Sequence, residues 1–93
     1  MNEERRSKVI ILKDILRTIE KKDGKAKPTH ILYGANLSHD RLKKYLDSLI
    51  VEGFIQKLDE DGQVFYTMTD KGKKFLNEFN KMKHFFDAFG IQV

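Results

Sequence analysis

Three histidines, His30, His39 and His84, are the residues best suited to metal or acid–base chemistry, and their spacing supports neither. They lie far apart, and none belongs to an H-E-x-x-H pair that would set two imidazoles on one helical face. Cysteine is absent, which removes thiol nucleophiles, disulfides and thiolate zinc sites together. Asp59 and Asp61 resemble the opening of a calcium loop, but Val64 and Phe65 stand where further oxygen ligands are required. The sequence has no glycine-rich phosphate loop and no nucleophile elbow. Groups able to meet an anion are better represented: Lys27 and Thr29 flank Pro28, and His39, Lys43 and Lys44 follow Ser38. The expectation is a binding protein and not an enzyme, with no metal and no cofactor.

The elements that position these groups are bounded by length. Ninety-three residues suit one domain, with 40% hydrophobic residues for a small core and 34% charged residues for its surface. The longest apolar run, from Val9 to Leu12, is far short of the roughly 20 residues of a membrane span. Residues 1–6 lack the apolar stretch of a signal peptide. A cytoplasmic location follows as an expectation. The formal net charge is +4, and the excess positive charge sits in residues 1–27 and 70–93, while residues 53–69 are acidic. That pattern suggests an anionic partner.

Val9, Leu12, Leu16 and Ile19 recur at steps of three or four, with Ile11 and Ile15 widening the face, which predicts a helix from about Glu3 to Lys22. Glu3 and Glu4 suit its positive end and Lys21 and Lys22 its negative end. Asp23-Gly24 stops it, and Lys25 to Lys27 reads as a basic connector. Pro28 opens a short second helix carrying Ile31, Leu32 and Tyr33, ended by Gly34. A tight turn leads to Ser38, an N-cap for a third helix to about Glu52, with Leu42, Tyr45, Leu46, Leu49 and Ile50 inward. Residues 54–58 and 64–68 are two extended runs joined by turn residues 59–63, hence a hairpin. Thr69 caps a last helix from Asp70 to about Phe89. The order is that of a winged helix-turn-helix: a mainly α, α+β fold with a two-stranded wing and a long C-terminal helix. As domains, residues 1–69 form the core, and residues 70–93 complete it and reach beyond.

The stretch from Lys27 to Ser38, KPTHILYGANLS, resembles the second helix and turn of an archaeal winged-helix family, the small Sulfolobus DNA-binding proteins of the 10a type. The likeness continues through Tyr45-Leu46, Leu49, Gly53 and Tyr66, then Thr69-Asp70-Lys71-Gly72 and Phe75-Leu76, covering roughly residues 9 to 80. Thr-x-Lys-Gly is common among winged-helix regulators, so the 29–38 stretch discriminates better. The resemblance implies double-stranded DNA binding by a homodimer joined through antiparallel C-terminal helices, without catalysis. Such a protein would be nucleoid-associated, as a chromatin-type protein or a transcriptional regulator.

In a helix-turn-helix the second helix of the pair enters the major groove. With Leu42, Tyr45, Leu46 and Leu49 inward, the outward residues of the third helix are His39, Asp40, Lys43, Lys44 and Asp47, next to Ser38. Lys43 and Lys44 could reach phosphates or guanine acceptors. An ordinary solvated face, with Lys43 paired to Asp47, would look the same. Lys27, Thr29 and His30 begin the second helix, an end that often approaches a phosphate. The wing departs from the usual pattern, since its tip reads Asp59-Glu60-Asp61 and would be repelled by a duplex carrying one charge per about 1.7 Å.

Phe75, Phe79, Met82, Phe86 and Phe89 step by four and three, a heptad-like coiled-coil seam. All five could pack against the first helix. Because a helix rises about 1.5 Å per residue, Phe85, Phe86 and Phe89 run beyond a domain this small. The expected dimer interface is therefore Phe79, Met82, Phe85, Phe86 and Phe89. Two other readings remain open: a winged-helix module whose third helix or acidic wing meets a protein, and a repressor with an effector pocket at the aromatic seam.

Overall fold

The computed structural model describes residues 6–92. Its elements in chain order are α1 (Lys8–Lys21), β1 (Lys25–Ala26), α2 (Pro28–Gly34), α3 (His39–Val51), β2 (Ile55–Glu60), β3 (Gln63–Met68) and α4 (Asp70–Ala88). The three strands form one antiparallel sheet in the order β1-β3-β2.

α1 begins at Lys8, later than its apolar periodicity suggests. Ser7 is extended and its hydroxyl accepts from the Ile10 amide, so the cap sits there. Glu3 and Glu4 lie outside the described residues, and the first turn of α1 holds no acidic side chain. The buried stripe is Ile11, Leu12, Ile15, Leu16 and Ile19, whereas Val9 is 47% exposed. Ahead of the helix, Arg6 donates to Asp14 Oδ2 at 2.7 Å, to the Ala35 carbonyl at 2.7 Å and to the Asn36 carbonyl at 3.0 Å. One guanidinium thus ties α1 to the turn between α2 and α3, where Asn36 takes a positive φ of 53°.

The stretch expected as a basic connector is instead partly a strand. Lys25 and Ala26 pair with Thr67 and Tyr66 of β3, and Ala26 is fully buried. Two residues have no detectable period, and only the free edge of β3 gives them partners. The wing is correspondingly longer and tighter than the two five-residue runs suggest. Asp59 and Glu60 belong to β2, opposite Val64 and Gln63, so only Asp61 and Gly62 turn the chain. Both have positive φ, 51° and 80°, the geometry of a two-residue turn that matches strand twist. The acidic tip therefore reduces to Asp61. Glu60 accepts from Lys25 Nζ at 2.8 Å, and that ammonium also lies 4.8 Å from the centre of the Phe65 ring.

α4 packs its first half on α1. Thr69 caps it by accepting from the Gly72 amide, and its own hydroxyl donates to the Gly53 carbonyl. Gly72 is needed because a Cβ there would strike the Phe54 carbonyl oxygen. Leu76 is buried, and Phe75 meets Phe54 edge to face. Phe79, expected in a seam between chains, is only 5% exposed and belongs to this chain's own core. Beyond it Met82, Phe85, Phe89 and Ile91 are exposed and Phe86 is half-buried, with the Phe85 ring against those of Phe86 and Phe89.

Candidate nucleic-acid interface

α2, the turn and α3 place the candidate residues from local rules. Pro28 occupies the first turn of α2, where a missing N–H costs nothing. The Lys27 amide donates to His30 Nδ1 at 3.1 Å, so His30 closes the start of α2. Partial burial, with the Lys22 and Lys27 charges added, holds the His30 pKa below its ordinary 6.5. A neutral ring accepting at Nδ1 carries its proton on Nε2. Ser38 accepts from the Arg41 amide at 3.3 Å and caps α3. Its hydroxyl is thereby engaged in the fold.

Leu42, Leu46 and Leu49 turn α3 inward, leaving His39, Asp40, Lys43, Lys44 and Asp47 exposed. Four of these share one groove of about 430 Å3 in front of α3: His39, Asp40, Lys43 and Asp47. Its far wall is Pro28 of α2, Lys57 of β2 and Tyr66 of β3. Lys44 lies outside it. Lys43 and Asp47 approach to 3.8 Å while both stay largely exposed, an ion pair worth little in water. Burial, and to a lesser degree the Asp47 charge, raises the Tyr66 pKa, so the phenol stays protonated as a donor. Lys27 and Thr29 line a second, smaller concavity with Gln63 and Val64 at the base of the wing.

Lys57 is the residue that sequence reasoning missed. Ile55 is buried beneath α3, and period-two alternation puts Lys57 on the same face of β2, directly across from Tyr66. That alternation was the available signal. Arg41, half-buried in the first turn of α3, was likewise left out of the outward set. Glu52, the C-cap of α3, has its pKa lowered from the ordinary 4.5, first by a hydrogen bond from Lys8 Nζ at 2.6 Å. It sits at the C-terminal end of α3, away from the groove.

A family profile described as winged helix-turn-helix matches residues 5–86. The chain belongs to the winged helix-turn-helix family. Among solved structures it is similar to Sso10a-2, a DNA-binding protein from Sulfolobus solfataricus, at 31% identity and a TM-score of 0.72, covering 91% of this chain and 90% of that one. This winged-helix chain thus carries the resemblance to the 10a type over nearly its whole length. Two uncharacterized proteins of Methanocaldococcus jannaschii are also similar, one at 39% identity over 70 residues and one at 32% over 78 residues. The matches cover 75% and 84% of this chain, which spans 66% and 34% of those relatives. Among the described residues no helix is long and apolar enough to cross a membrane, and no three acidic or histidine side chains gather as a metal site.

Proposed function

We propose that this winged-helix chain binds double-stranded DNA as a homodimer, as a nucleoid-associated protein of the chromatin type or a transcriptional regulator. The observation that carries the reading is the open face of α3, where His39 and Lys43 stand across a groove from Lys57 of the wing. A helix flanked by cations on a hairpin and on the preceding helix start can enter a major groove while lysines meet both rims. Lys27 and Thr29 extend that surface at the start of α2, and Lys44 extends it on α3. The described DNA binding of Sso10a-2, so similar over both chains, supports the same reading. Asp40 and Asp47 on the same face argue for moderate, salt-sensitive affinity.

The partner of the distal α4 surface is a second copy. Met82, Phe85, Phe89 and Ile91 are exposed along its last turns and the segment after it. Each such side chain gains about 1.5–3 kcal/mol when fully buried, and a two-fold pairing covers both copies with one surface. Antiparallel pairing is what the 10a resemblance implies.

The test is fluorescence anisotropy of the full chain with a random-sequence duplex across a salt series. Log affinity should fall linearly with log salt, by about 0.9 for each phosphate neutralised. Binding that ignores salt, or no binding at low salt, would turn the α3 face over to a protein partner.

A further inference from the structure

A concavity with both cationic and aromatic side chains lies between α1 and α2 and does not include Phe85 or Phe89. It is a groove of about 600 Å3 between the second half of α1 and α2. Its floor is Thr18 and Gly34, whose helices touch so closely that a Cβ on Gly34 would fall onto the Thr18 side chain. Lys21, Lys22, Thr29 and His30 line it together with Tyr33, which lies one helical turn beyond Thr29 on α2.

Lys21, Lys22, Thr29 and His30 can each donate a hydrogen bond. Lys21 and Lys22 have no ion-pair partner among the described residues, and no carboxylate lines the groove. Thr29 offers a hydroxyl. His30 has its Nδ1 occupied by the Lys27 amide, so Nε2–H is the group left to donate. An unopposed set of donors calls for an anion. Beside them Tyr33 is 80% exposed, although it stands in sequence between the buried residues Leu32 and Ala35. Such a ring is a flat face without an occupant. The volume falls within the range of small-molecule sites.

We infer that this groove binds a small aromatic carboxylate, its anionic end held by Lys21, Lys22, Thr29 and His30 and its ring stacked on Tyr33. Thr29 also faces the concavity at the base of the wing beside Lys27. A bound acid therefore competes for the α2 start with a backbone phosphate and lowers duplex affinity. That last step rests on the DNA reading; the ligand site does not.

The experiment is an amide-resolved NMR titration of the full, DNA-free chain with 2-naphthoate. A ligand of that size should saturate with a Kd of about a millimolar or below. The shifts should map to the end of α1 and to α2. The comparison probes are cyclohexanecarboxylate, which lacks the flat ring, 2-naphthylmethanol, which lacks the charge, and inorganic phosphate. All three should bind at least about tenfold more weakly, as should 2-naphthoate to Tyr33→Ala and to the Lys21→Gln, Lys22→Gln double variant. These side chains are exposed, so the variants keep the fold, checked by their unchanged remaining spectrum. Phosphate binding as tight as naphthoate would overturn the inference and mark the groove as a seat for the duplex backbone alone. Shifts that do not saturate, or that survive both variants, would overturn it as well. In a second arm, naphthoate should weaken duplex binding by the unmodified chain and not by Tyr33→Ala. Unchanged affinity with the groove filled overturns the competition, while failure of the chain to bind duplex at all bears on the DNA reading and leaves the titration to decide the ligand.

Discussion

Gly34 of α2 lies so close to Thr18 of α1 that a methyl group added to Gly34 would overlap both Oγ1 and Cγ2 of the threonine. The same Thr18 hydroxyl donates to the Asp14 carbonyl at 2.8 Å, which fixes its rotamer against α2. Helix approach at this point is set by the absence of one side chain and the orientation of another. Gly34→Ala should cost about 1–3 kcal/mol as an overpacked contact. Thr18→Ala opens the space that the methyl needs, so the double variant should be more stable than Gly34→Ala alone. Urea denaturation of the four proteins gives the coupling directly, and strictly additive effects would refute the contact.

Lys57 should behave as a DNA contact although it belongs to the wing. Lys57→Gln should flatten the slope of log affinity against log salt by about 0.9 and weaken all duplexes alike. Lys43→Gln should do the same from the opposite wall of the groove. A control at Lys81, which pairs with Glu78 on the exposed face of α4, should leave the slope unchanged. Salt-series anisotropy on two unrelated duplexes separates these outcomes.

Phe89→Glu and Phe85→Glu should each yield monomers in sedimentation velocity while α1 to β3 keep their fold. DNA affinity should fall with them, because two linked α3 helices hold a duplex at high effective concentration. Phe79→Ala should behave differently, lowering thermal stability by the large-to-small core cost of about 3–5 kcal/mol. A sedimenting monomer for the unmodified chain at tens of micromolar would remove the pairing altogether.

Acidification should destabilise the chain in two separate steps. His30 has its pKa held below 6.5 by partial burial and by Lys22 and Lys27, so the fold favours the neutral ring. Its stabilisation is complete above 6.5 and is lost as the pH falls through the lowered folded value, when protonation also removes the acceptor of the Lys27 amide. Glu52 is depressed by its hydrogen bond from Lys8, and its part is lost at lower pH, below the ordinary 4.5. His30→Ala should flatten only the upper step of stability against pH and Glu52→Gln only the lower. Thermal melts across that range check both.

The helices were largely legible because their signals are local. Ser38 and Thr69 both cap the helices expected of them, and Pro28 opens α2. What escaped was set by neighbours distant in sequence. β1 exists because β3 has a free edge, which nothing in Lys25-Ala26 announces. Asp59 and Glu60 resemble turn residues by type, yet the tight Asp61-Gly62 pair lets both remain in the ladder. Tyr33 follows two core residues and still points outward, since a seven-residue helix buries only one side. Heptad spacing along α4 likewise did not distinguish Phe79, covered by its own chain, from Phe89, left open. The α3 face was readable as a set, but its opposite wall, Lys57, depended on the register of the hairpin.

The two residues of β1 also bear on the entropy of association. They follow the turn at residues 22–24 and lead straight into Lys27 and Pro28, and their ladder bonds fasten that passage to the same strand that carries Tyr66. The hairpin cannot swing without dragging the start of α2, so cations on both walls of the groove keep their spacing before any duplex arrives. Little ordering is left to be done on contact. Association should therefore proceed with a small conformational penalty, and loosening that ladder would cost affinity even where no lysine is touched.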